Sequence, residues 1–130
     1  MKDVVAALIR KNDRFLICKR PRNKKQGLLW EFVGGKVEPG ESKADALVRE
    51  CREELNVTVC PHDVYTVVEY SYPDFDIRMT LYNAEIISGE PVLLEHEDMR
   101  WITTDQIDEF EFCPADIEIL NRLKNDPRFN

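Results

Sequence analysis

The stretch GGKVEPGESKADALVRECREELNV, from Gly34 to Val57, decides how this chain is read. Ser42 followed three residues later by Asp45 is a capping signature, so a helix is expected to start near Lys43. Ala44, Leu47, Val48, Cys51 and Leu55 recur along it at the spacing of one apolar face. At 100° per residue, Glu50, Glu53 and Glu54 border that face together. Like charges at such spacings repel by roughly 0.2–0.5 kcal/mol per pair, and more where water is excluded. Glu54 is the worst placed, because its direction lies close to that of Leu47. A bound Mg²⁺ would convert the repulsion into a ligand set, since hard cations prefer carboxylate oxygen. The bland alternative is a solvated acidic helix whose charge Arg49 and Arg52 offset. Gly34, Gly35 and Gly40 add the freedom of a tight loop with φ > 0 before the helix, and such a loop can aim N–H groups at phosphate.

Outward from the helix, Val4 to Ile9 and Phe15 to Lys19 are apolar runs around Lys11-Asn12-Asp13, the pattern of a hairpin. Val64 to Tyr72 and Ile77 to Ile87 repeat the form around Pro73-Asp74, and Met99 to Ile102 is a shorter strand. Ile117, Leu120 and Leu123, with Ile119 alongside, predict a second helix. Strands mixed with helices imply an α/β or α+β sandwich, and 130 residues without repeat, linker or low-complexity tract imply one domain over residues 1–130.

Composition narrows the function. A net charge of −7 argues against a nonspecific grip on duplex nucleic acid, which needs clustered cations. It leaves room for one small anionic ligand held through metal ions. No run reaches the roughly 20 apolar residues of a membrane helix, and Val4 to Ile9 is too short for a signal peptide. Cys18, Cys51, Cys60 and Cys113 show neither a C-x-x-C pair nor zinc-ligand spacing, which points to reduced thiols and a cytoplasmic location.

Gly35, Glu41, Arg49, Glu50, Cys51, Glu53, Glu54 and Val57 stand at the spacings of G-x5-E-x7-R-E-U-x-E-E-x-G-U, where U is apolar. The chain thereby resembles the Nudix hydrolases. Asn56 replaces the last glycine, a mild departure because Asn tolerates the left-handed conformation of a helix C-terminus. The resemblance implies an α/β/α sandwich around a mixed β-sheet and a Mg²⁺ cofactor, with Mn²⁺ able to substitute. It also implies metal ligation by Glu50, Glu53, Glu54 and Gly35, support from Glu41, and an Arg49 that orients a motif carboxylate. Glu53, Glu54 and Arg49 would take part in catalysis. Lys36 falls where relatives place a lysine near the phosphates, and Arg20 where MutT-like relatives place a phosphate-binding arginine. Arg20 belongs to a basic run, Lys19 to Lys25, whose other members read as a solvated loop.

WEFVGGK from Trp30, HED from His96 and CPADI from Cys113 resemble the MutT-like branch, and within it the bacterial CTP pyrophosphohydrolases. That implies hydrolysis of CTP, dCTP or modified nucleoside triphosphates to the monophosphate and pyrophosphate. The alternatives are an 8-oxo-dGTP diphosphatase and a Nudix module that binds nucleotides without cleaving them. The resemblance also implies a carboxylate from outside the box as metal ligand or general base. Glu95, six residues before Trp101, has the best position, with His96 and Glu97 as neighbours able to replace it. Glu31 and Asp116 match base-contacting positions, although Glu31 also reads as an exposed strand residue and Asp116 as a helix N-cap. Trp30, Phe32 and Phe75 are equally readable as stacking partners or as core. The partner is a small nucleotide, and the assembly a monomer or homodimer.

Overall fold

The computed structural model describes residues 1–129. Five consecutive buried residues, Val5 to Ile9, mark a strand covered on both faces, and this strand is the centre of the molecule. It is β1 (Lys2–Lys11), followed by β2 (Arg14–Lys19), β3 (Trp30–Glu31), β4 (Gly34–Lys36), α1 (Lys43–Leu55), β5 (Thr58–Ser71), β6 (Asp76–Ser88), β7 (Asp98–Ile102) and α2 (Ile117–Lys124). The order β3-β2-β1-β6-β5 forms the main path of a mixed sheet, with β1 and β6 parallel and the other neighbours antiparallel. β1 pairs with β2 only at Arg10–Phe15 and Lys11–Arg14, next to a turn in which Asn12 has φ 59°. Beyond that point the strands part, β1 taking β4 as its partner and β2 taking β7.

Alternation sorts the core into two layers. Val5, Ala7 and Ile9 pack with Leu47, Cys51 and Leu55 of α1, while Ala6 and Leu8 pack with Phe15, Ile17 and, from α2, Ile119, Leu120 and Leu123. The result is the expected α/β/α sandwich. Leu47 is fully buried, and its truncation to Ala is worth about 2–5 kcal/mol.

The expected elements are present, with differences that have physical causes. Ile117, expected on the apolar face of α2, is half exposed, because the helix rests on Ile119 instead. Gly34 and Gly35 are in strand β4 and not in a left-handed turn, which falls to Gly40 at φ 80°. Their requirement is close approach: a Cβ on Gly34 would collide with the Val5 carbonyl, and one on Gly35 with the Glu50 carboxyl. Asn56 has φ 55° and ψ 39°, the left-handed C-cap that its place in the motif called for. All four cysteines are free. Among the described residues, no helix is long and apolar enough to cross a membrane.

Candidate active site

Helix α1 begins as its sequence demands, with the Ser42 hydroxyl accepting the Asp45 N–H at 3.1 Å. The other end is closed from outside: Val92 and Leu94 donate their N–H groups to the carbonyls of Leu55 and Glu54, two of the four a helix leaves unpaired. The loop that carries Glu95 and His96 is therefore tied to the helix that carries the acidic cluster.

Arg49 organises that cluster. Its Nε and Nη2 bind the two Glu41 oxygens at 2.8 and 3.0 Å, and Nη1 binds Glu50 at 2.8 Å and Glu53 at 3.2 Å. Nη2 also donates to the Lys36 carbonyl at 3.0 Å, joining helix to β4. The hydrogen bonds from Arg49 hold the Glu41 carboxyl below its ordinary range. Glu50 is pushed up instead, because burial outweighs its contact with Arg49. Glu54 is the more perturbed: burial, reinforced by Glu31 and Glu50, raises it to about 7, although its Oε1 accepts the Gly34 N–H at 3.3 Å. Within the helix cluster, the position that looked worst in the sequence is the one where burial costs the ionised form most.

Glu50 and Glu54 line a cavity of about 550 Å³, in the range of small-ligand clefts, together with Gly35, Lys36, Arg20 and Glu31. Tyr72, Phe75, Phe32 and Asp116 line it as well, and the lysines Lys2 and Lys25 lie over the Phe75 ring. Phe32 belongs both to the core and to this wall, whereas Trp30 is core only, edge-on to Phe110.

Asp116 is 4% exposed. It occupies the N-cap position of α2 as expected, but its side chain makes no capping bond there. Burial, with Glu31 adding to it and Arg20 opposing, holds its carboxyl well above the usual range. Glu31 has both oxygens engaged, Oε1 by Arg20 Nη1 at 3.0 Å and Oε2 by His96 Nε2 at 2.9 Å.

Arg20, Lys36, Glu31, Asp116, Gly35, Glu50 and Glu54 are thus brought to one cavity, with Arg49 behind it. Glu53 and Glu95 are not among its lining residues: Glu53 is half exposed and turned to Arg49, and Glu95 points to solvent on its loop. Of the H-E-D run it is His96 that turns inward, its side chain 2% exposed. Among the described residues, no three His, Cys, Asp or Glu side chains are gathered as metal ligands, and Arg49 holds the carboxylates of Glu50 and Glu53. The donor set nevertheless suits a hard divalent cation: the donors are all oxygen, and Glu50 and Glu54 are part-buried carboxylates that a neighbouring positive charge would relieve. The missed features are the Glu31–His96 contact, which joins residues 65 apart, and the Tyr72 hydroxyl, which accepts the Ala115 N–H at 3.2 Å. No local pattern announces either.

A sandwich whose one cavity gathers acidic side chains of a helix, basic side chains and aromatic ones has the parts that a small, charged, ring-bearing ligand would need. The NUDIX domain family matches residues 4–122, and the chain belongs to that family of hydrolases. It is 34% identical over 120 residues to the CTP pyrophosphohydrolase of Escherichia coli (strain K12), covering 92% of this chain and 89% of that one. It is 30% identical over 122 residues to the 8-oxo-dGTP diphosphatase of the same organism, covering 93% and 95%. The crystal structure of the MutT protein from Methanosarcina mazei Go1 superposes with a TM-score of 0.82 at 26% identity, covering 96% of each chain.

Proposed function

We propose that this hydrolase is a Mg²⁺-dependent, cytoplasmic nucleoside triphosphate pyrophosphohydrolase that releases NMP and pyrophosphate, with CTP or dCTP as its preferred substrate. The observation that carries the reading is one cavity lined by Arg20, Lys36, Glu50, Glu54 and a buried Asp116 that has no ion-pair partner within salt-bridge distance among the described residues. Glu50, Glu53 and Glu54, with the Gly35 carbonyl and Glu95, are the proposed oxygen ligands. Mg²⁺ or Mn²⁺ held there supplies phosphate neutralisation and an acidified water. Arg20 and Lys36 bind and orient the phosphates, Arg49 keeps the box carboxylates in place, and Glu53 and Glu54 are the candidates to accept the proton of the attacking water.

Asp116 is the proposed base reader. Ionised, its carboxylate only accepts hydrogen bonds and favours an amine, as on cytosine N4, over a carbonyl at that position; neutral, it also donates and relaxes the preference. Since burial raises this carboxyl, the CTP-to-UTP ratio of kcat/KM is expected to rise with pH. The assay is pyrophosphate release across a nucleotide panel with Mg²⁺. Asp116→Ala should lower kcat/KM for CTP by about tenfold or more, the size of one lost buried contact, and flatten the preference over UTP while the melting temperature holds. Retention of the wild-type ratio would remove the base-reading role. A second reading, hydrolysis of 8-oxo-dGTP, is favoured by the full-length similarity to the E. coli diphosphatase, and the same panel decides between them.

A further inference from the structure

His96 lies behind the cavity and not in it. Its side chain is buried and absent from the lining, while its partner Glu31 and the next residue in the chain of contacts, Arg20, both line the cavity. An ionised carboxylate can only accept, so the imidazole donates Nε2–H to Glu31. That tautomer leaves Nδ1 bare, and the buried Nδ1 has no hydrogen-bond partner among the described residues. An unpaired buried ring nitrogen is costly, and an apolar side chain would fill this space without that cost. What the histidine provides is therefore the bond to Glu31. The loop that delivers it is tied on both sides, by Leu94 N–H to the Glu54 carbonyl and by Glu97 N–H to the Lys19 carbonyl.

The other Glu31 oxygen holds Arg20 Nη1, and Arg20 Nε donates to the Lys25 carbonyl at 2.8 Å. The guanidinium is thereby clamped from two directions, with Nη2 outside both bonds. We propose that His96 is a positioning residue: through Glu31 it fixes the orientation in which Arg20 receives a substrate phosphate. This deepens the nucleotide-hydrolase reading and rests on its assignment of Arg20 to phosphate. It also makes Glu31 a strut whose two oxygens are already used, leaving Asp116 to face the base.

A double-mutant cycle tests the proposal in variants that melt like the wild type. His96→Ala and Glu31→Ala should each raise KM for CTP by about tenfold, the usual effect of one charge-assisted hydrogen bond, with kcat nearly unchanged. The double variant should be no worse than Glu31→Ala alone, because both act on one contact. His96→Gln, whose amide nitrogen stands near the position of Nε2, should restore most of the affinity, whereas His96→Asn should not. Multiplying losses in the double variant, or a fall in kcat at constant KM, would overturn the proposal. A second readout needs no turnover: ¹⁵N NMR should find His96 in the Nε2-protonated tautomer with a slowly exchanging proton that Glu31→Ala exposes. An Nδ1-protonated ring refutes the strut whatever the activity, whereas a correct tautomer in a protein that hydrolyses no nucleotide refutes the substrate reading alone.

Discussion

Replacing Glu54 by Gln in protein stripped of metal with a chelator should stabilise the fold at pH 8 and leave it unchanged near pH 4. The Glu54 carboxyl moves from 4.5 to about 7 through burial. Its native pKa lies above the unfolded one, so between about 4.5 and 7 the native state binds the extra proton. Stability from this group is therefore full below about 4.5, is lost as pH rises towards about 7, and changes no further above that. The displacement corresponds to on the order of 3 kcal/mol. The glutamine side chain would carry no charge and would still offer its amide oxygen to the Gly34 N–H. Because burying the polar amide carries a cost of its own, the recovery at pH 8 is about 1–3 kcal/mol, or roughly 3–10 °C in Tm for a domain of this size. Thermal unfolding by circular dichroism at both pH values measures it. Asp116 shifts in the same direction but is common to both proteins, so the difference between them isolates Glu54. An equal gain at both pH values, or a loss at pH 8, would refute the burial argument. Activity should move the opposite way, kcat falling by several orders of magnitude even as the protein melts later.

Gly35→Ala should abolish turnover while costing only a few degrees in Tm, because the new methyl meets the end of the Glu50 side chain and not backbone; wild-type kcat in a folded variant would remove Glu50 from the mechanism. Glu53→Gln, at a half-exposed position, should leave Tm within about 2 °C and lower kcat by orders of magnitude, as measured by pyrophosphate release. Glu95→Gln should weaken Mn²⁺ binding, measured by electron paramagnetic resonance, and reshape the pH–rate profile; if both are unchanged, the outlying carboxylate lies elsewhere.

The acidic helix was legible because its signals are local. A cap at Ser42, a stripe led by Leu47 and an Asn able to turn left-handed at position 56 depend on neighbours within a few residues, and each is realised as read. The strands at Val4–Ile9 and Phe15–Lys19 were legible for the same reason, whereas β3 and β4, two and three residues long, are held by partners distant in sequence and have no periodicity to detect. The motif supplied Gly35, Glu50 and Glu54, and the resemblance to the MutT-like branch supplied Arg20, Glu31, Lys36 and Asp116, all of which line the cavity, whereas Glu53 and Glu95 do not. Tertiary structure alone decided what each one faces. It turned His96 inward and Glu95 outward on one loop, where a single residue's difference in direction cannot be read from composition. It engaged both oxygens of Glu31 and buried Asp116, which has no ion-pair partner within salt-bridge distance among the described residues. It also set the protonation of Glu54, because a carboxyl's pKa follows from how much water the fold removes and which charges it brings near, and neither is written in the residues beside it.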